Sequence, residues 1–363
     1  MASSSFFSDS YSEARAKFLA ALDRAGGTHL AAFQNPRRGP AGEELFTDVG
    51  RLGPAEAEKL LVLVSGTHGI EGFCGSGCHT GWLDGGHAIR DLPKGIAVLF
   101  IHAVNPHGFA WARRVNEDNV DLNRNFVDHA KPYRDNPDYA KLRDHINPKT
   151  WTAEGVAASE KAIRAFYGKP EGELLAKAIH GGQYINPQGT FFGGNAPTWS
   201  NRTYREIVAT FLGTAEQICL IDYHTGSGVF GFCDLFVDDK SAGTRSRDWF
   251  EHCTAIEAVP VQDGHSQSDV PGLLMYVVED TLKSARVTSC LVEMRTRARP
   301  GLLSPICEEN WVFQHGDPDS EHGRAVRTAV REAFYPSAPE WKPMVLRQSN
   351  ALIGEALAGL GRA

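Results

Sequence analysis

The chain has 363 residues, of which 42% are hydrophobic and 22% are charged, and 37 basic residues against 44 acidic ones give a formal charge of −7. This length allows one large domain or about two smaller ones, and the apolar fraction excludes a disordered chain. Nucleic-acid-binding proteins are normally basic, so the charge argues against that class of partner. No apolar run approaches the roughly 18 residues that a membrane span requires.

The N-terminus and the cysteines both favour a cytoplasmic protein. Residues 1–10 (MASSSFFSDS) lack the basic start and apolar core of a secretory signal. The seven cysteines are an odd number, are widely scattered and in several cases lie within apolar runs, so we interpret them as reduced core thiols. Cys74 and Cys78 have the spacing of one helix face, and two cysteines alone make a poor metal site.

Four short apolar runs predict buried strands, at residues 60–65, 96–104, 218–223 and 287–294. They are almost uniformly apolar and rich in β-branched residues, as are strands that helices cover on both faces. Helical patterns flank these runs, at residues 11–25, 204–212, 323–334 and 348–360. Strands that alternate with helices indicate an α/β fold, with a mixed, mostly parallel sheet flanked by helices on both faces.

The stretch of residues 128–199 differs in composition from the rest of the chain. It mixes charges, prolines and glycines with short helical patterns at residues 154–167 and 171–180. Because it lacks strong apolar runs of its own, we interpret it as a long insertion over one edge of the sheet. We therefore expect a single domain over residues 1–363 that carries this insertion.

Polar residues follow the first and third predicted strands. His68 and Glu71 are three positions apart in a glycine-rich turn (GTHGIEG), so both can point at one cation, and the pair suits Zn²⁺. His224 lies at the turn after the third strand (IDYHTGSG), at the same sheet edge. Either histidine alone is compatible with an ordinary hydrogen-bonded loop. Two such turns in one sheet favour a metal site with His224 as third ligand and a fourth position open for water.

The fourth predicted strand contains Glu293 within an apolar run. A buried carboxylate is costly unless it is paired or functional. Beside a metal-activated water, Glu293 is suited to act as a general base. The alternative is a salt bridge from Glu293 to Arg295 or Arg297.

A polar segment (NVDLNRNF, residues 119–126) lies beyond the second predicted strand. A period of two would place Asp121, Asn123 and Asn125 on one side of it. Asn123 and Arg124 offer an amide and a planar forked cation, which together suit capture of a substrate carboxylate. Asp121 is suited to orient a ligating histidine through its second ring nitrogen. The alternative is a solvated polar turn.

Taken in chain order, these pieces resemble the carboxypeptidase A-like zinc metallopeptidase superfamily. The matching residues are His68-x-x-Glu71, Asn105-Pro-x-Gly108, the DLNRNF run at residues 121–126, His224 and Glu293. The motifs QYINPQG at residues 183–189 and DYHTG at residues 222–226 resemble a bacterial branch of that superfamily that is named for a domain of unknown function. The resemblance covers about residues 60–297 and implies one zinc carboxypeptidase-like catalytic domain.

The resemblance also implies the roles of individual residues. One zinc ion would be held by His68, Glu71 and His224, and Glu293 would serve as general base and acid.

On the substrate side, the resemblance implies that Asn123 and Arg124 bind a terminal carboxylate. It also implies that either Arg113 or Arg114 stabilises the oxyanion, and the spacing favours Arg114. Tyr276 is the candidate for the family's mobile tyrosine, although its setting (LLMYVV) is typical of a core helix.

The implied reaction is hydrolysis of an amide bond next to a substrate carboxylate. Two substrate classes stay open: peptides, cut by a metallocarboxypeptidase, and N-acyl amino acids, cut by a deacylase similar to aspartoacylase and succinylglutamate desuccinylase. The insertion favours a narrow pocket for small substrates with a free carboxylate. A non-catalytic protein that binds zinc or carboxylates is a third interpretation. The oligomeric state and the choice among Zn, Co and Mn stay open.

Overall fold

The computed structural model describes residues 3–167, 178–179, 181–238, 243–250, 255–259, 261–262, 265–266, 270, 272–297 and 302–362. The strands within these residues are β1 (Thr28–Arg38), β2 (Glu44–Leu52), β3 (Lys59–Val64), β4 (Ile96–His102), β5 (Gln217–Ser227), β6 (Cys233–Asp238), β7 (Ala255–Val259), β8 (Val261–Gln262), β9 (His265–Ser266) and β10 (Arg286–Arg297). Eight of these strands form one sheet in the order β1-β2-β4-β3-β5-β10-β6-β7, and β8 pairs with β9.

The centre of the sheet is parallel and its outer part is mixed. Strands β4, β3, β5 and β10 run parallel to one another, whereas β1, β2 and β6 are antiparallel to a neighbour. The four predicted strands are these four central ones, because only strands buried on both faces carry uniformly apolar runs. The outer strands were missed: β1, for example, is largely exposed and mixed in composition. The predicted mixed, mostly parallel sheet is confirmed.

The helices of the described residues cover both faces of the sheet. In chain order they are α1 (Tyr11–Arg24), α2 (Gly72–Asp84), α3 (His87–Asp91), α4 (Pro106–Ala110), α5 (Pro137–Ile146), α6 (Ala153–Tyr167), α7 (Trp199–Phe211), α8 (Gly243–Trp249), α9 (Tyr276–Thr281), α10 (Leu303–His315), α11 (Glu321–Phe334) and α12 (Trp341–Arg362). The predicted helices correspond to α1, α6, α7, α11 and part of α12. The helical pattern at residues 171–180 lies almost entirely outside the described residues.

Alternate residues of the central strands face two separate cores. On β3, Leu61 and Leu63 pack in the core formed with α1, α2 and α12, whereas Leu60 and Val62 pack in the core formed with α7 and α9. Strand β5 alternates in the same way, since Ile218 and Leu220 lie in the second core. Continuing this period of two places positions 222 and 224 on the α7 side of the sheet.

The polar segment at residues 121–125 is hydrogen-bonded to residues 193–198. The Asn125 side chain donates to the carbonyl oxygens of Gly193 (2.8 Å) and Ala196 (3.0 Å), and its Oδ1 accepts from the backbone N of Thr198 (3.1 Å). Thr198 in turn caps α7 by accepting from the backbone N of Asn201. These bonds connect the polar segment to the start of α7.

Two further sequence features can be compared with the structure. The six described cysteines are buried, as predicted for core residues, and Cys253 lies outside the described residues. Cys74 and Cys78 both lie on α2. No helix in the described part of the chain combines the length and the apolarity that crossing a membrane demands.

We predict that Gly69→Ala strongly destabilises the fold. A Cβ atom at this position would lie 2.1 Å from the backbone C of Gly108 and 2.3 Å from the backbone N of Phe109, and backbone atoms cannot rotate away. The free energy of unfolding, measured by urea denaturation, should fall by about 2–3 kcal/mol or more.

The matched control is Gly354→Ala. Gly354 lies within α12, and its added Cβ would meet no atom within 4 Å. Because alanine has the higher helix propensity, this variant should gain about 0.5–1 kcal/mol. Equal stability of the two variants would contradict the close approach at Gly69.

Candidate functional site

Three potential metal ligands converge at the edge of the sheet where the central strands end. His68 follows β3 and occupies the N-cap position of the 3₁₀ turn Gly69–Glu71, which leads into α2. His224 lies on the neighbouring strand β5. One ligand atom from each of His68, Glu71 and His224 lies within 4.8 Å of the others. His224 was predicted after its strand. It lies inside β5, because pairing with β10 continues to Ser227.

The rings of the two histidines approach each other through their Nδ1 atoms. The Nδ1 atoms of His68 and His224 are 3.1 Å apart. The Glu71 carboxylate completes the group, with Oε1 at 3.0 Å from Nδ1 of His68 and Oε2 at 2.8 Å from Nδ1 of His224.

Buried carboxylates behind the histidines assign the ring protons. Nε2 of His68 lies 3.1 Å from Oδ1 of Asp121, and Nε2 of His224 lies 2.7 Å from Oδ2 of Asp222. Ionised carboxylates only accept hydrogen bonds, so in a neutral ring Nε2 carries the proton and Nδ1 presents a lone pair. The two Nδ1 atoms and the Glu71 carboxylate thus face one another. This arrangement fits a cation, and the mixed nitrogen and oxygen donors fit zinc.

The charges around this group are also unbalanced toward negative. Glu71, Asp121 and Asp222 are all fully buried. Burial would raise the pKa of Glu71, but the adjacent His68 and His224 hold that pKa far below its usual range. Burial would lower the pKa of His224, but Asp222 and Glu71 raise it well above its usual value. The carboxylates around the two histidines therefore favour a positive charge at this group.

The structure separates the two candidate arginines. Arg114 donates from Nε to Oδ2 of Asp121 (3.1 Å), and its Nη1 lies 3.4 Å from Oε1 of Glu71. Arg113 points elsewhere: it is buried, pairs with Glu309, donates to Oδ1 of Asn119 (2.9 Å) and stacks over the ring of Phe313. Of the two guanidinium groups, only that of Arg114 contacts the histidine and carboxylate cluster.

Asn123 and Arg124 lie beside the same cluster. Nδ2 of Asn123 is 3.4 Å from Nε2 of His224, and its Oδ1 accepts from the backbone N of Leu274 (3.0 Å). Arg124 is buried and donates through Nη1 to the carbonyl of Asn123, while the described residues provide no hydrogen-bond partner for its Nε. Burial lowers the pKa of the Arg124 guanidinium, an effect that Asp121 opposes.

The local geometry of this segment differs from the extended conformation that a period of two assumes. Residues Leu122–Arg124 form a 3₁₀ turn, which Asp121 caps by accepting from the backbone N of Asn123 (3.1 Å). The turn still brings Asp121 to Nε2 of His68 and Asn123 near Nε2 of His224.

Glu293 lies on β10 directly beside His224 of β5. Its side chain is 21% exposed, and its Oε2 atom is buried with no hydrogen-bond partner among the described residues. Burial and the nearby Glu71 carboxylate raise the pKa of Glu293. Nη1 of Arg295 is 3.8 Å from Oε2, so the salt-bridge alternative is present as a long ion pair without a hydrogen bond, and the Arg297 side chain lies outside the described part. The Oε2 atom thus has an ion-pair partner but no hydrogen-bond donor among the described residues.

Tyr276 lies at the first position of α9, partly buried against the core that contains Leu274 and Val278. This agrees with the core-helix character of its sequence. The contacts described above do not bring its ring to the histidine cluster. Its assignment as a mobile tyrosine stays a prediction.

Some residues of the site were not assigned from the sequence. The spacing of two residues places Asp222 on the same side as His224, but the sequence left open whether Asp222 supports that histidine or only closes the turn. Thr67 gave no signal, yet its Oγ1 donates to Oδ1 of Asp222 (2.8 Å) and fixes that carboxylate.

Comparison with known structures places the fold. The chain is similar to bovine thrombin-activatable fibrinolysis inhibitor, solved in complex with tick carboxypeptidase inhibitor, with 11% identity, coverage of 98% of this chain and 97% of that one, and a TM-score of 0.53. A second structure of thrombin-activatable fibrinolysis inhibitor gives 10% identity, 97% and 74% coverage and a TM-score of 0.54. Carboxypeptidase A from Helicoverpa armigera gives 13% identity, 90% and 74% coverage and a TM-score of 0.47.

At these identities the similarity establishes the fold alone, a carboxypeptidase-like α/β fold, as the sequence motifs predicted. No curated protein sequence matches the chain. One family model matches residues 7–348, nearly the whole chain. The protein therefore belongs to the family described as "Protein of unknown function (DUF2817)".

Proposed function

We propose that the protein is a zinc-dependent hydrolase of metallocarboxypeptidase type, which cleaves an amide bond next to a free carboxylate in peptides or small peptide-like substrates. The observation that carries this proposal is the convergence of the Nδ1 atoms of His68 and His224 with Glu71, beside Glu293, whose buried Oε2 has no hydrogen-bond partner among the described residues. A purely structural cluster would have no need of a buried carboxylate oxygen without a donor.

The chemistry divides between the metal and Glu293. Zinc bound by His68, Glu71 and His224 would supply Lewis-acid activation of a water molecule and of the scissile carbonyl. Glu293 takes a proton from the attacking water at its carboxylate and later delivers a proton to the leaving amine nitrogen. Its raised pKa brings it closer to the value at which one carboxyl group can do both.

Two arginines give the substrate its orientation and its charge stabilisation. Arg114 is the proposed donor to the developing oxyanion, since it reaches the cluster from the side of Asp121 and Glu71. Arg124 is the proposed anchor for the substrate carboxylate, with Asn123 beside it. Its Nε lacks a partner in the described structure, and a bidentate carboxylate would satisfy it.

We predict that purified protein carries one zinc ion per chain and that His68→Ala abolishes this binding, since one of three ligands is lost. The measurement is elemental analysis by mass spectrometry. His322→Ala is the control, because His322 is exposed on α11 and should leave the zinc content unchanged. A metal-free wild-type protein that takes up no added zinc would contradict the proposal.

We predict that Glu293→Gln lowers kcat about 10²–10⁴-fold while retaining zinc, because the general base is lost. In the wild type, kcat/KM should fall as the pH is lowered through the raised pKa of Glu293. The acid limb should therefore lie above the pH at which an ordinary glutamate titrates, about 4.3. Full activity of the folded, zinc-loaded variant would rule out Glu293 as the base.

We predict that Arg124→Ala raises KM about 10–100-fold for substrates with a free carboxylate, because a charge-assisted contact is lost. Substrates in which a carboxamide replaces that carboxylate should show little change. Arg143→Ala, at a surface position on α5, is the control. An equal loss on both substrates would place the carboxylate elsewhere.

The substrate class is decided by assaying peptides with free C-termini and N-acyl amino acids side by side. Release of a C-terminal amino acid from peptides supports the carboxypeptidase assignment. Turnover confined to N-acyl amino acids would replace it with a deacylase that uses the same zinc, base and carboxylate anchor.

A further inference from the structure

A third arginine, Arg295, lies beside the proposed base and has no role in the mechanism above. It is two residues beyond Glu293 on β10, so the two side chains share one face of the strand. Arg295 is buried. Its backbone is fixed from two directions, because its N donates to the carbonyl of Phe232 (2.8 Å) and its carbonyl accepts from Nε1 of Trp341 on α12 (3.0 Å).

The Arg295 guanidinium is held slightly away from Glu293. Its Nε pairs with Oδ2 of Asp234, and its Nη1 donates to the carbonyl of Ser227 (2.7 Å). The same Nη1 remains 3.8 Å from Oε2 of Glu293, which is beyond hydrogen-bonding distance. The cation is therefore close enough to attract the carboxylate without occupying its lone pairs.

Asp234 stands directly opposite Glu293 in the antiparallel pairing of β6 and β10. Like charges at directly opposed positions repel each other. Arg295 offsets this repulsion from its position beside both carboxylates. Without Asp234, Arg295 would have Glu293 as its nearest carboxylate partner.

Two glycines after His224 make room for this arrangement. A Cβ atom at Gly226 would lie 2.1 Å from Oε2 of Glu293, and one at Gly228 would lie 2.4 Å from Cδ of Arg295. The end of β5 thus packs closely over both side chains, which leaves the Glu293 carboxylate little freedom to turn.

We propose that Asp234 and Arg295 are positioning residues for the base: Asp234 restrains the guanidinium so that it holds the Glu293 carboxylate in place without donating a hydrogen bond to Oε2. This inference rests on the proposed function, in which Glu293 is the general base. Neither residue contacts substrate in this scheme, and both act through the position of Glu293.

The first test is Asp234→Asn, which preserves shape and removes the charge. Arg295 should then turn to Glu293, and the Nη1–Oε2 distance in a crystal structure should shorten from 3.8 Å to hydrogen-bonding range. In the zinc-loaded enzyme, kcat should fall about 10-fold or more, because Arg295 then occupies the base. KM should change less than about 2-fold, because the substrate-binding residues are unaltered.

Arg295→Gln tests the loss of the cation instead of the loss of its restraint. The two facing carboxylates then repel without a cation between them, so Glu293 moves and kcat falls. In the double variant Asp234→Asn/Arg295→Gln both charges are gone, and the loss in kcat should be smaller than the product of the two single losses. Losses that simply multiply would indicate that the two residues act independently.

Arg245→Gln is the matched control for a general loosening of β10. Arg245 donates to the carbonyl of Val287 (2.7 Å) and to Oγ1 of Thr288 (3.2 Å) near the other end of this strand. The Arg245→Gln variant should have a lower free energy of unfolding in urea denaturation but an unchanged kcat.

An unchanged kcat in Asp234→Asn, with Arg295 still at its present distance from Glu293, would overturn the inference. Wild-type protein that is loaded with zinc but hydrolyses no amide would overturn the proposed function instead. The crystal structure of Asp234→Asn would then still decide whether Asp234 restrains Arg295.

Discussion

The site depends on two hydrogen bonds from histidines to buried carboxylates. Asp121 and Asp222 each accept from an Nε2, which forces both Nδ1 lone pairs toward the same point. Neither carboxylate would be stable at such burial without a partner, and neither ring would keep its orientation without the carboxylate. The two histidines and the two carboxylates therefore depend on one another, and their arrangement suits a bound cation.

The sheet brings this unit together from distant parts of the chain. His68 follows β3, Asp222 lies on the parallel neighbouring strand β5, and Glu293 lies on the next strand, β10. Asn125, in the polar segment that carries Asp121, forms hydrogen bonds with Gly193 and Thr198. Because parallel strands end at the same edge, residues more than 200 positions apart in the chain lie together there. Ligands therefore often bind at the carboxyl edge of such sheets.

Arginines at this edge have three distinct environments, which explains why residue type alone could not assign them. Arg114 contacts the cluster, Arg113 is neutralised by Glu309 and packed on an aromatic ring, and Arg124 is buried without a hydrogen-bond partner for its Nε in the described part of the chain. The side chains of Arg113 and Arg114 are adjacent in the sequence but therefore contact different partners. The difference comes from Glu309 on α10, which nothing in the local sequence around Arg113 predicts.

The sequence by itself determined the central strands and some of the flanking helices, and it singled out His68, Glu71, His224 and Glu293 as candidates, because apolar runs and a few chemically distinctive side chains are local properties. Only the tertiary structure decided between Arg113 and Arg114 as neighbours of the cluster, placed Asp222 behind His224 and brought Asp234 opposite Glu293. These relations depend on strand pairing and on long-range partners. Strand β6, which carries Asp234, was not predicted, so its register with β10 could not be read from the chain.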